Sequence, residues 1–397
     1  YCFTESTKTS SVFSFSNFSI SSPDNNSLTL TSSTSDNLVN NNTSGTNPTV
    51  RLKLDSAPAD SYFTLKYVVY GDVQGNQYNP EQVPQGLVVT YYNDIYSRGV
   101  AWNTDNTVEE NALYYVKATD GMTAENVDWT SGDVQKIEAI SKDTTDTTGK
   151  TWRTFKAHVE NLDAGAKYFY RAGSEETGWS EVGSFSIEKA KEEITGLSFI
   201  HVTDSQEESS AGFQKWARVL KDAYTRDPGA AFVAHTGDIV NRSENVNNFY
   251  MEEWMYAFDE PMTQIMNGVF APASGNHETL DYVFTDRFDI QWADYKEGDE
   301  ELKYGGCYTV TYGEPENGLV LISLNNTAEA WNYDTDFKLY QQVWLVEQLE
   351  KYSNYKWKVV QLHEGLMTAG DHTNDGEVET MRDTLPPIFA KYKVDLV

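Results

Sequence analysis

Between residues 65 and 187, apolar and polar positions alternate in short runs. LKYVVYG, GLVVTYY, GVAWNT, ALYYVKA, TWRTFKAHVE, AKYFYRAG and VGSFSI are rich in Val, Tyr, Phe and Trp, and Gly, Asp and Asn separate them. Several such runs at this spacing predict a β-sandwich. Trp102, Trp152 and Trp179 are expected in its core, because large aromatic side chains contribute most when they are removed from water. The charged joint EKAKEEITGL, residues 188–197, ends the pattern. Beyond it the period changes. LSFIHVTD and AAFVAHTGD are apolar runs ending in Asp, and VFAPASGNHE is a third with a polar end. GLVLISLNN and WKVVQLHE follow the same plan. Between them, SAGFQKWARVLKDAY has helical spacing through Phe213, Trp216, Val219, Leu220 and Tyr224. Helices are also predicted over 249–267, over FKLYQQVWLVEQLEKY and near 377–392. Strands alternating with helices predict a layered α/β domain, a β core flanked by helices. The last four residues, VDLV, read as one more core strand.

The opening is different. Residues 1–50 are dominated by Ser, Thr and Asn, although SVFSFSNFSI and SLTLTS alternate apolar with polar. Two readings stand side by side, a small β-rich unit and a poorly ordered stalk. Strand-like patterning resumes at VRLKL, residues 50–54. The expected organisation is therefore multidomain α+β: a Ser/Thr/Asn-rich segment over 1–60, a β-sandwich over 61–190 and a layered α/β domain over 191–397.

Composition narrows the partners. With 30 Lys and Arg against 60 Asp and Glu, the 397-residue chain carries a formal charge of -30. Phosphate backbones and anionic membranes attract positive surfaces, so neither is an expected partner. No apolar run approaches the roughly 18 residues that a membrane span needs. Cys2 and Cys307 are the two cysteines, which allows one disulfide and excludes a disulfide-built fold. N-glycosylation acceptor patterns stand at Asn17, Asn25, Asn41, Asn42, Asn241 and Asn325. Together these features predict a secreted or cell-surface glycoprotein. The chain starts at Tyr1 rather than Met and stops at Val397 within an apolar run. We therefore expect a piece of a longer protein, one whose missing termini can tie it to a cell surface.

The candidate chemistry collects where apolar runs end: Asp204 in HVTDSQ, Asp238 in HTGDIV, Asn276 and His277 in SGNHE, and His363 in VVQLHE. Open α/β sheets place ligands at strand ends. Oxygen and imidazole donors meeting there suit cations of intermediate hardness. Two cations about 3.5–4 Å apart can share one carboxylate, clamp a phosphate and acidify a water. Asp238 is the natural bridge, since Gly237 lets the backbone turn tightly beside it. The bland alternative is that Asp and Asn cap helices and the histidines fill the core. It accounts for any one of these residues better than for all four strand ends together.

These residues resemble the motifs of the calcineurin-like metallophosphoesterases, and among them the purple acid phosphatase group. The family's elements are matched by TDSQ with Asp204, by GD with Asp238, by GNHE at 275–278 and by VQLH at 360–363. VAWNTD at 100–105 is similar to the amino-terminal domain of that group, and LDAGAKYFYRAG resembles the end of a fibronectin type III module. The resemblance covers roughly residues 65–397. It implies that Asp204 and Asp238 bind a first metal, and that Asp238, Asn276 and His363 bind a second. It also implies that His277 assists the leaving alcohol as a catalytic group while a metal-bridging hydroxide attacks phosphorus.

Three departures qualify what is implied. Asn241 stands where a purple enzyme has Tyr, so the colour and strong Fe(III) preference should be absent and Fe, Mn or Zn can serve. Gln206 replaces a His or Gly and is expected as a weak metal ligand or a hydrogen-bond partner of bound water. The Gly-His-x-His element does not occur in the sequence, so metal affinity and activity of this chain are expected to be low. Arg242 is a candidate for the phosphate oxygens, with surface solvation as the alternative, and Glu278 for orienting His277 or stabilising the GNHE turn. Asp371 and His372, and the aromatic loop 331–337, are candidates for the substrate entrance, with surface or core packing as the alternative. His158 is expected to be structural. The leading functional expectation is hydrolysis of small phosphate monoesters. A phosphodiesterase or nucleotidase on the same scaffold is the second, and a catalytically degenerate surface-binding protein the third.

Overall fold

The computed structural model describes the backbone of strands at 2–7, 17–21, 27–31 and 61–67. It also describes residues 78–397 except 246, 279–282, 294–305, 328–340 and 368–370. The chain divides into two compact units, 1–83 with 174–179, and 84–173 with 180–397. In the first, Cys2–Thr7 pairs antiparallel with Ser61–Tyr67. Asn17–Ser21 pairs antiparallel with Ser27–Thr31. The β-rich reading of the opening therefore has strands at both alternating stretches. VRLKL lies outside the described residues, as do Asn25, Asn41 and Asn42.

The second unit holds the sandwich and the layered domain. A seven-stranded sheet runs in the order Ile200–Val202, Val233–His235, Phe270–Pro272, Gln85–Thr90, Arg98–Asp105, Thr151–Val159 and Ile140–Thr145. Its first strands are parallel and its last antiparallel. The join is one parallel contact, Phe270 with Thr90. The two regions expected on either side of residue 190 therefore share a sheet. The reason is visible in Gln85–Thr90. Successive side chains in a strand point to opposite faces. Leu87 and Val89 pack into the sandwich with Trp102, Leu113, Tyr170 and Phe185. Val88 packs on the other face with Trp216, Val233, Trp254 and Phe270. A strand buried on both faces reads as an apolar run, and GLVVT is one.

The sandwich's other sheet pairs Lys167–Ser174 antiparallel with Ala112–Lys117 and with Gly183–Ser186, and Ala112–Lys117 with Gln135–Glu138. Trp102 and Trp152 are buried, and Trp179 is half-buried. A third sheet carries Leu319–Ser323 between antiparallel Tyr308–Tyr312 and parallel Trp357–Gln361. Its outer face meets Leu345 and Leu349 of helix Gln342–Lys351, and Met381 and Leu385 of helix Gly376–Tyr392.

Helix Ser210–Arg226 starts where the Ser209 hydroxyl accepts the Gly212 N–H, the usual way of satisfying an orphan donor. It buries Phe213, Trp216 and Leu220. Val219, expected on that face, is 54 % exposed: it lies about 100° around the helix from Leu220. The helix expected over 249–267 is two pieces, Met251–Asp259 and Met262–Ile265. Pro261 divides them, because it lacks the N–H that the ladder needs. VDLV contributes one parallel bridge, Leu396 with Val359. Cys307 is buried and its thiol donates to Gln341 Oε1. Among the described residues, no helix is long and apolar enough to cross a membrane.

Candidate metal centre

The three parallel strands of the seven-stranded sheet end side by side, and so do their following turns. The Asp204 N–H donates to the Gly237 carbonyl at 3.1 Å, and the Gln206 N–H to the Asp238 carbonyl at 3.0 Å. Asp204 and Asp238 both take left-handed backbone conformations, with φ of 52° and 54°. Such angles are uncommon for residues with a side chain and mark a locally constrained turn. Two glycines make the approach close enough. A Cβ on Gly237 would sit 2.7 Å from both the Gly275 Cα and His363 Nδ1, and one on Gly275 would sit 2.1 Å from Asp238 Oδ1.

The carboxylates of Asp204 and Asp238 and a ring nitrogen of His363 lie within 4.8 Å of one another. His363 Nδ1 lies 2.9 Å from the Thr236 carbonyl. A carbonyl only accepts, so Nδ1 carries the proton and the neutral ring offers its lone pair at Nε2. That nitrogen is 3.0 Å from Asn276 Oδ1 and 3.4 Å from Asp238 Oδ1. A lone pair and two oxygens facing one another repel unless a proton or a cation lies among them. Gln206 Nε2 donates to Asp238 Oδ2 at 3.0 Å, while its buried Oε1 has no hydrogen-bond partner. An orphaned oxygen beside this set fits a cation, and so does the donor chemistry.

Electrostatics agree. Burial pushes the Asp238 carboxyl above its ordinary pKa, and the His363 and His277 rings and the His277 N–H pull it back. Glu278 lies beneath, accepting N–H donors from Asp238 at 2.8 Å, Val240 at 3.0 Å and Gly275 at 2.9 Å. Burial, then the Asp238 charge, raise its pKa to about 8. Glu278 thus ties the Asp238 turn to the GNHE turn, and it touches backbone rather than the His277 ring.

His277 donates its backbone N–H to Asp238 Oδ1 at 3.1 Å, and its Nε2 is 3.9 Å from Asp238 Oδ2. Arg242, a candidate for phosphate, is held elsewhere. Its guanidinium bonds Glu253, lies 3.9 Å over the Tyr250 ring and reaches the Glu208 carbonyl. Asn241 Nδ2 donates to Glu208 Oε1 at 3.0 Å. Asn325 needs correcting as a glycan acceptor. It is 1 % exposed, and its Oδ1 accepts the Thr327 hydroxyl, so a glycan there is incompatible with this fold. The side chains of Asn17, Asp371 and His372, and the whole loop 331–337, lie outside the described residues. His201 is exposed and meets the Thr236 hydroxyl. His235 is fully buried beside Trp216 and Phe270, and burial lowers its pKa to about 3. It belongs to the core.

Two contributors lie outside every motif. Asn326, fully buried, accepts the His363 and Glu364 N–H groups at 2.9 and 3.2 Å and donates to the Glu364 carbonyl at 2.9 Å. Glu253 accepts the Asn241 and Arg242 N–H groups. Asn326 closes the run GLVLISLNN, so local pattern places it at a strand end without naming its partners, whereas Glu253 lies in a helix, 12 and 11 residues from the N–H groups that it accepts, and local pattern carries no sign of it.

Comparison with known proteins matches this picture. The profile described as calcineurin-like phosphoesterase matches residues 197–397, and that of the purple acid phosphatase N-terminal domain matches 84–187. A relative from Arabidopsis thaliana, "Probable inactive purple acid phosphatase 9", is 28 % identical over 284 residues. The match takes in 61 % of this chain and 42 % of that protein. The chain thus spans less than half the length of the curated relative. The fold is similar to that of purple acid phosphatase PPD1 from yellow lupin (Lupinus luteus) seeds, at a TM-score of 0.53 and 14 % identity, over 79 % of this chain and 57 % of that one.

Proposed function

Because the chain belongs to the calcineurin-like phosphoesterase family, we propose that it is a metal-dependent phosphatase for small phosphate monoesters. Asp204 and Asp238 would hold one cation, and Asp238, Asn276 and His363 a second, with Gln206 at the rim. The observation that carries this reading is the meeting of Asp204, Asp238 and His363 within 4.8 Å, with no Lys or Arg bonded to them among the described residues. When bound, Fe, Mn or Zn supplies positive charge for phosphate oxygens and acidifies water. The chain's own residues do the rest. Asn276 and His363 orient the donors. Asp238 and Glu278 fix the two turns. His277 presents Nε2 towards the pocket and moves a proton at the leaving oxygen. Arg242, bound to Glu253, supports the turn beside the pocket.

The test is reconstitution of the metal-stripped chain with Mn, Zn or Fe. Metal content is then measured beside hydrolysis of p-nitrophenyl phosphate and of its bis-ester. Bound cation with faster monoester turnover is the expected result. Preference for the diester would select the diesterase. Less than one transition ion per chain would sink the metal centre. A second reading, cation binding without turnover, is favoured by the Gln206 amide, which occupies an Asp238 lone pair, and by the inactivity in the Arabidopsis relative's name. Stoichiometric metal with no turnover of either ester would select it. We also infer export, from the acidic, Asn-rich composition and the acceptor patterns at Asn17, Asn25, Asn41 and Asn42. Glycan release from the protein as secreted by a eukaryotic cell checks it, and a chain retained in the cytosol without glycan refutes it.

A further inference from the structure

His277 Nδ1 lies 2.6 Å from the backbone carbonyl oxygen of Asn241. That oxygen has no proton to give, so Nδ1 must be the donor and Nε2 the lone-pair nitrogen of the neutral ring. The free imidazole prefers the opposite arrangement, with the proton on Nε2. Something must therefore hold the carbonyl in place, and the Asn241 side chain does not: it turns to Glu208. The backbone on either side is held from one point. Glu253, 1 % exposed on helix Met251–Asp259, accepts the Asn241 N–H at 3.0 Å and the Arg242 N–H at 2.8 Å. Its other oxygen binds the Arg242 guanidinium, which stacks on Tyr250.

The geometry points to Glu253 as a positioning residue for His277. Through the 241–242 turn it aims the Asn241 carbonyl, and that carbonyl selects the Nδ1–H tautomer and turns Nε2 towards Asp238. The tether works through backbone, so it does not depend on which side chain stands at position 241. The inference rests on the proposed role of His277 for its meaning in catalysis, but not for its test.

The test is nitrogen-15 NMR of the histidine rings in the intact chain, at a pH where the rings are neutral, with His277 assigned by its loss in His277→Gln. Wild type should show His277 with the proton on Nδ1. Asn241→Ala, which keeps the carbonyl, should leave that signature unchanged. Glu253→Ala should move it towards the Nε2–H form, and Glu253→Gln, which keeps an acceptor oxygen, should restore most of it. An Nε2–H tautomer in the wild type overturns the inference even if no variant folds. So does a Glu253→Ala chain that melts cooperatively with the wild-type tautomer intact. Where turnover is measurable, Glu253→Ala should lower kcat roughly 10-fold or more with little change in KM, as expected when proton transfer is impaired. A chain with the predicted tautomer shifts but no turnover would keep this inference and lose the phosphatase reading.

Discussion

Two places in the second unit bury charge in opposite ways. In the sandwich, Arg98 is fully buried, yet it meets Glu188 at 2.6 Å, and its Nη1 and Nη2 donors also reach the Ile95, Ser97 and Ser186 carbonyls, leaving only Nε without a partner among the described residues. Glu188 in turn accepts the Tyr91 hydroxyl. Opposite charges there cancel inside the fold. At the strand ends, Asp204, Asp238 and Glu278 gather, and the side chains that meet Asp238 among the described residues are imidazoles and the Gln206 amide rather than a Lys or Arg. Isolated buried charge costs several kcal/mol or neutralises by shifting its pKa. The upward shifts of Asp238 and Glu278 record that cost. A region that pairs its charges is complete as folded. A region that concentrates one sign fits a cation.

The sharpest way to break this contrast is Asp238→Asn. One carboxylate is proposed to serve both cations, so the variant should lose nearly all turnover and most metal binding. Its metal-free form should melt near wild type, and the rise in Tm on adding Mn or Zn should vanish. For wild type, that rise corresponds to about 2.7 kcal/mol when metal is present at 100 times its Kd. A variant that still gained the full metal-dependent rise would show that the acidic cluster is not where the cation binds.

Arg98→Met probes the other side. It leaves Glu188 without its cation and the Tyr91 ring without the guanidinium above it, and breaking a buried pair costs about 3–5 kcal/mol. The loss should appear in urea unfolding and be the same with or without added metal. Dependence on metal would mean that the two regions are not energetically separate.

A third measurement uses pH on the wild-type chain. The folded value of Glu278, about 8, lies above its ordinary 4.5. Its contribution to metal-free stability is therefore fully present below pH 4.5 and lost as pH rises through about 8. A cation offsets that loss by favouring the ionised cluster. The Tm gap between metal-loaded and metal-free protein should widen from pH 5 to 8.5, and a constant gap would contradict the like-charge account.

The contrast also explains what the sequence could tell. Asp204, Asp238, Asn276 and His363 were legible because each closes a local apolar run, and strand-end chemistry is written in short motifs. The change from period 2 to period 3.6 was legible for the same reason. Asn326 also closes such a run, GLVLISLNN, but its bonds to the His363 and Glu364 backbone were not legible, since those partners lie 37 and 38 residues on. Glu253 was not legible either, because any acid in a helix looks alike in one dimension. The shared sheet was hidden in GLVVT, since burial on two faces erases the alternation that would name its neighbours. Arg242 follows GD closely enough to suggest phosphate, but the acid that holds it, Glu253, lies 11 residues further on and is not marked by that motif.

The smallest expected effect separates charge from packing at the sandwich surface. His158 stacks on Tyr92 at 3.7 Å and meets Asp289 at 3.2 Å. The hydrogen bond that His158 donates to Asp289 raises the His158 pKa above 6.5, with Glu160 adding to it and burial opposing it. A raised folded value contributes stability that is fully present below pH 6.5 and lost as pH climbs through that value. With 39 % of the side chain exposed, solvent screens the pair, and such pairs contribute about 0–1 kcal/mol. His158→Gln keeps a donor for Asp289 and removes only the charge and the ring. Its Tm deficit should therefore have two parts: a fixed one from the lost Tyr92 stack, and a part seen at pH 5.5 that is gone at pH 9. A deficit equal at both would assign the whole effect to stacking. His158 would then resemble the neutral core contacts rather than the paired charges around Arg98.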